Sequence, residues 1–259
     1  MTLFSIFFFP YSIFLSKVFE ETERNSSFTE VSNQHHKNYL AAMFFLPKDL
    51  DDYIVNHSQD EPQILKDLTR ETHLKVLQPI MLSGAYQGRV LSMISHLRAP
   101  KRVLEIGTFT GYSAICLMEG MPAGSELVTI DINEELKDFA GGYLFRFRES
   151  VNSKIIVHQK IGDATTIIPE LEGTFDLVFI DADKPNYVNY FHQVMQKVKS
   201  GSLIISDNVL WHGKVVEEVK PKDTSTPVLL EYNRLLKEDP RLQTVLFSVR
   251  DGLTLSRVI

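Results

Sequence analysis

Residues 102–113 read Arg102-Val-Leu-Glu-Ile106-Gly107-Thr-Phe-Thr-Gly111-Tyr-Ser113. An apolar run of strand length meets a glycine turn, and a second apolar run, Ala114-Ile-Cys-Leu-Met118, follows at once. That is a strand, a turn and a helix. Glycine lets the backbone turn tightly and approach a ligand closely. The same alternation continues downstream. Strands are expected at Glu126–Ile130, Lys154–His158, Phe175–Ile180 and Ser202–Ser206. Helices are expected at 113–119, to about Arg148, at Thr165–Leu171 and at 186–199, the last with Gly201 just past its end. Short apolar strands alternating with helices predict a mainly parallel sheet covered on both faces. The segment 243–259, broken at Arg250-Asp-Gly252, predicts a terminal β-hairpin. The expected fold is therefore α/β, a doubly wound Rossmann-like sheet with one antiparallel strand from the hairpin.

Upstream, Asp60 is expected to cap a helix that has Pro62 in its first turn. A second helix, with Val90, Ile94 and Leu97 on one face, ends before Pro100. Patterned sequence starts near Met43. Residues 3–15 are strongly apolar but too short to span a bilayer, and Pro10 interrupts them. They lack the basic start and small-residue end of a secretory signal. Residues 20–38 are polar and read as disordered, and His35-His36 have no further ligand at metal spacing. The expected organisation is a disordered or spurious extension over residues 1–42, with translation starting at Met43, and one domain over residues 43–259. An interfacial anchor is the alternative for the extension.

The chain has 259 residues, 44% hydrophobic and 23% charged, with a net charge of −6. An acidic balance gives no electrostatic footprint for nucleic acid, and small molecules are the expected partners. Cys116 is the only cysteine and sits in an apolar helical stretch, so it reads as a core thiol in a reducing, cytoplasmic setting.

Two features carry chemistry. At the turn, Gly107 and Gly111 flank Thr-Phe-Thr, which is not the Gly-x-Gly-x-x-Gly of a dinucleotide site. Glu105 lies just before it and would repel a diphosphate. A carboxylate suits a cationic ligand such as S-adenosylmethionine. Asp131, ending the next strand, can accept both ribose hydroxyls. Asp163, in Gly162-Asp-Ala164, can either accept from an adenine amine or cap the following helix. The second feature is Asp181-Ala-Asp183-Lys184 at one strand end and Asp207-Asn208 at another. Asp181, Asp207 and Asn208 offer only oxygen donors, which select Mg²⁺, Mn²⁺ or Ca²⁺. A vicinal diol can fill two remaining positions, and Lys184 can take its proton. Asp183 reads either as a helix cap or as a ligand contact.

The stretches Val103–Ser113, Ile130-Asp131, Gly162–Ala164, Phe175–Lys184 and Asp207-Asn-Val-Leu-Trp211 resemble the cation-dependent class I O-methyltransferases, the caffeoyl-CoA and catechol O-methyltransferases and their bacterial relatives. The resemblance implies a seven-stranded sheet with a reversed last strand, S-adenosylmethionine, a divalent cation (Mg²⁺ first) and a homodimer. It implies Asp181, Asp207 and Asn208 as metal ligands and Lys184, with Asp181, as catalytic. It implies Met81, Ser83, Glu105, Gly107, Ser113, Asp131, Ala164 and Asp183 as cofactor contacts, to which the strand-end reading adds Asp163. Trp211 and His212 are the expected acceptor contacts. The plant enzymes carry asparagine where His212 stands, and their basic residue for the acyl-CoA has no counterpart near position 42. A free catechol-type phenol is therefore the expected acceptor. A Rossmann-type oxidoreductase and a non-catalytic binding module are the competing readings.

Overall fold

The computed structural model describes residues 46–151 and 154–259; the expectation for residues 1–42 falls outside them. The elements are α1 (Lys48–Asn56), α2 (Gln63–Lys75), α3 (Gly84–Arg98), β1 (Arg102–Ile106), α4 (Tyr112–Met118), β2 (Glu126–Asp131), α5 (Lys137–Ser150) and β3 (Ile156–Ile161). They continue with α6 (Ala164–Glu170), β4 (Phe175–Ile180), α7 (Tyr187–Val194), β5 (Val198–Asp207), α8 (Thr226–Glu238), β6 (Leu242–Phe247) and β7 (Leu253–Val258). The strands form one seven-stranded sheet in the order β3-β2-β1-β4-β5-β7-β6. β1 to β5 pair in parallel, and β7 runs antiparallel to both of its neighbours. The doubly wound sheet with one reversed strand is as expected.

Period-two alternation splits the central strands between two cores. Val103, Leu177 and Phe179 join the core that contains Leu65, Leu68, Leu91 and the apolar side of α4. Leu104, Ile106, Val178 and Ile180 join the other, with Tyr187, Phe191, Leu229 and Tyr232. Each such side chain contributes roughly 1.5–3 kcal/mol by leaving water. Both faces are thus covered, which explains why β4 is apolar at every position but Asp176. The chain winds from β1 outward to β3, then returns to β4 on the other side of β1. The crevice at the carboxyl ends of β1 and β4 is the topological switch point, where such sheets bind ligands.

Three local expectations are corrected. The N-cap of α2 is Pro62, without a side-chain cap, and Asp60 instead pairs with Lys66 at 2.9 Å. On α3, Val90 and Ile94 pack against the core as expected but Leu97 is 81% exposed, and the buried positions are Gln87, Gly88, Leu91, Ser92 and Ser95. Small residues line that face because α3 and α4 lie close together. A Cβ on Gly88 would come within 2.8 Å of Tyr112, and Ser95 Oγ donates to Leu117 O at 2.5 Å. Last, α7 stops at Val194, and β5 starts at Val198. The β4–β5 register shifts between Phe175 and Leu177, and Gly201 (φ +85°) serves that irregularity instead of ending a helix.

Candidate active site

The turn after β1 is built against the end of β4. Asp181 N donates to Ile106 O at 2.8 Å. Gly107 has φ +104°, and a Cβ there would lie 1.9 Å from Asp181 O. No side chain fits without parting the two strand ends. Asp131 holds the turn from β2. Its Oδ2 accepts from Phe109 N at 2.6 Å and its Oδ1 from Asn133 N at 2.8 Å.

Beneath the turn, Glu105 is 0% exposed. Ser113 Oγ donates to one oxygen at 2.6 Å and Thr129 Oγ1 to the other at 2.5 Å. Thr129 is bonded in turn to Thr108. Burial pushes the Glu105 carboxyl up to about 8, although the two hydroxyls pull it down. Glu105 and Ser113 thus serve each other and support the turn from inside.

At the ends of β4 and β5 the arrangement is more highly charged. Lys184 is buried, and its Nζ donates to Tyr187 Oη at 2.7 Å, Ala182 O at 3.0 Å and Asp181 Oδ1 at 3.2 Å. Three acceptors around one nitrogen suit an ammonium. Tyr187 Oη donates onward to Asp207 O at 2.9 Å, so it ties the ends of β4 and β5 together. Burial, then Asp181 and Asp207, raise the Tyr187 hydroxyl well above its ordinary value and keep it a donor. Asp207 is 3% exposed and accepts from Gln87 Nε2 at 2.6 Å and Asn208 N at 2.7 Å. Burial and then the charge of Asp181 push its carboxyl up to about 7. Asn208 takes φ +56°, a left-handed position that asparagine tolerates.

Among the described residues no three His, Cys, Asp or Glu side chains form a metal cluster. The donor set here is two carboxylates and an amide. The mutual repulsion of Asp181 and Asp207 is the kind that a hard cation relieves, so the residues fit such an ion.

Beside the strand-end carboxylates, the stretch after Asn208 is held against the β6–β7 turn. Leu210 N donates to Asp251 O at 3.0 Å and His212 N to Asp251 Oδ1 at 2.6 Å. His212 Nδ1 lies 3.5 Å from Asp251 Oδ2. Trp211, His212 and Gly213 take φ of +49°, +54° and +80°, a strained run held by these bonds. The Trp211 ring packs against the second core and stacks on His212 at 5.6 Å. In the same hairpin turn, Arg250 donates to Leu82 O at 2.8 Å and to Ser83 O.

The fold therefore gathers Glu105, Gly107, Ser113 and Asp131 at one edge, joined through Gly107 to Asp181, Lys184, Asp207 and Asn208. Ser83 is tied in through Arg250. Met81, 60% exposed in the turn before α3, has no bond that links it to the set. Asp163 caps α6 by accepting from Thr165 N at 2.8 Å, and Ala164 opens that helix. Asp183 caps no backbone group; it accepts from the Tyr190 hydroxyl at 2.5 Å and from Asn186 Nδ2 at 2.7 Å. The buried Cys116 thiol is raised by burial, as a core thiol should be. Sequence reasoning missed Gln87, Thr129, Tyr187, Arg250 and Asp251. Only Tyr187 had a local signal, its place three residues after Lys184 and on the same face of the following turn.

An O-methyltransferase family model matches residues 55–259. Caffeoyl-CoA O-methyltransferase 1 of Eucalyptus globulus is 36% identical over 212 residues, which cover 77% of this chain and 83% of that protein. Among solved structures, TomG of Streptomyces achromogenes, an O-methyltransferase involved in tomaymycin synthesis and in complex with SAM, has a TM-score of 0.71 at 28% identity and covers 81% of this chain and 96% of its own. The SAH-bound Podospora anserina methyltransferase PaMTH1 has a TM-score of 0.72 at 25% identity, covering 83% and 98%. The glycine turn, the strand-end carboxylates and the reversed last strand thus stand in a chain that belongs to the O-methyltransferase family.

Proposed function

We propose that the protein transfers a methyl group from S-adenosylmethionine to a hydroxyl of a catechol-type phenol held on a divalent cation. The observation that carries the reading is the contact between Gly107 and Asp181. It packs the glycine turn, which we read as the donor's, against the backbone of the strand end that carries Asp181, which we read as the first ligand of the cation. Family membership and the SAM-bound relative support the donor.

In this reading Asp131 takes the ribose hydroxyls of the donor, and Asp163, Ala164 and Asp183 line its adenine side. Met81 and Ser83 cover it from the segment before α3. Asp181, Asp207 and Asn208 hold the cation, with Mg²⁺ preferred. When bound, the cation would supply positive charge that holds a vicinal diol and lowers the pKa of its hydroxyl. Lys184 takes the hydroxyl proton on its nitrogen and keeps two of its three bonds. The acceptor oxygen then forms its bond to the methyl carbon as the carbon–sulfur bond breaks and its electron pair returns to sulfur. Trp211 and His212 wall the acceptor, and the histidine at position 212, where the plant enzymes carry asparagine, favours a free phenol over the thioester.

The test is incubation with S-adenosylmethionine and caffeic acid, with and without a chelator. Methyl transfer that the chelator stops is expected. No transfer to any vicinal diol, or transfer that the chelator leaves untouched, would overturn the acceptor and cation parts.

A further inference from the structure

We infer that Gln87 is a positioning residue for the cation ligand Asp207. The inference rests on the cation reading above and deepens it. Gln87 is 1% exposed on the buried face of α3, far in sequence from β5, yet its Nε2 reaches Asp207 Oδ2 at 2.6 Å. A carboxylate only accepts, so the amide N–H is the donor. Asp207 Oδ1 is held in the same way by Asn208 N at 2.7 Å. Each oxygen thus carries one fixed donor and keeps a free lone pair, which sets the direction those lone pairs face.

The type of donor matters as much as its place. A lysine or arginine at this depth would cancel the charge a cation needs. A leucine would pack as well but leave a buried carboxylate one bond short. An amide holds the carboxylate and leaves its charge intact. Donors of this kind orient metal ligands in general, and their loss costs about 10–100-fold in metal affinity.

The test is the Mn²⁺ affinity of the purified full chain, read by the EPR signal of free Mn²⁺, in wild type and in Gln87→Met, which keeps the length and removes the donor. The expected result is a Kd raised about 10–100-fold, with S-adenosylmethionine affinity unchanged. A packing role alone would lower the melting temperature and leave the Mn²⁺ Kd where it was, which overturns the inference. Should Gln87→Met fail to fold, the wild type supplies the answer. The side-chain amide signals of Gln87 in ¹⁵N NMR should shift in step with Mg²⁺ titration, and signals that stay fixed overturn it. If wild type binds no Mn²⁺ at all, the cation reading fails and takes this inference with it. If wild type binds and Gln87→Met binds equally, only the inference fails.

Discussion

Glu105 and Asp207 are both buried carboxylates near the carboxyl ends of parallel strands, β1 and β5, with β4 between them, and they are treated differently. Glu105 has hydroxyl donors on both oxygens, no solvent exposure and no ion partner. Asp207 sits beside a second carboxylate and a lysine, held by one amide and one backbone N–H. The first is a finished interior group that shapes a turn. The second stands beside a like charge, which the cation of the proposed reading would offset. The difference shows how one sheet edge can hold a rigid cradle and a reactive site a few atoms apart.

The largest expected effect lies on the reactive side. Lys184→Ala should lower kcat by about 10²–10⁴-fold, the usual worth of a positioned acid or base, with donor affinity little changed. Lys184→Arg keeps the charge but cannot give up a proton at working pH. Equal loss in both variants supports the base, whereas an active arginine variant would reduce Lys184 to a charge.

Next comes the seam between the two regions. Gly107→Ala places a methyl group 1.9 Å from Asp181 O at φ +104°. Strain of about 1–3 kcal/mol is expected from the backbone alone. A displacement near 1 Å at Asp181 costs about 100-fold in rate. Urea unfolding and initial rates would read both, and a variant that is normal in both would break the claim that the regions share a wall.

The cradle side has its own signature in pH. The folded Glu105 carboxyl binds its proton more tightly than an unfolded one, with a pKa near 8 against 4.5. Its folded state therefore loses stability as pH rises from about 4.5 to about 8 and stays level above that. Glu105→Gln has no such loss and should gain roughly 3–5 kcal/mol on wild type at pH 9 and little at pH 4. Parallel pH dependence of urea unfolding in the two ligand-free proteins would contradict this. The smallest effect is expected for Tyr187→Phe, which removes a donor to Asp207 O and an acceptor for Lys184. About 1–3 kcal/mol of stability should go, with a moderate fall in kcat.

The fold was legible because alternation and glycine placement are local properties. Val103 to Ser113 could be read without knowing anything else in the chain. The strand-end carboxylates were legible for the same reason, since each ends an apolar run. What escaped came from distance. Gln87 meets Asp207 across the fold, and Arg250 meets Ser83 from the far end of the domain. No spacing rule links such residues. The partly misread face of α3, where Leu97 is exposed, has a related cause. Periodicity picks the most apolar stripe, but a close helix crossing needs the smallest one, Gly88, Ser92 and Ser95. Gly201 misled because a glycine with positive φ ends helices and bends strands alike.

β7, inserted between β5 and β6, has a consequence for how the chain is made. Asp207 pairs with Leu253, and the turn just before β7 holds His212 and Ser83. Until that last segment docks, β5 is a bare edge with unpaired backbone groups, a template for joining another chain. A polypeptide that stops short of Leu253 therefore loses its reactive site and gains a sticky edge by the same omission. The strand that covers the edge of β5 is thus the one that braces the site.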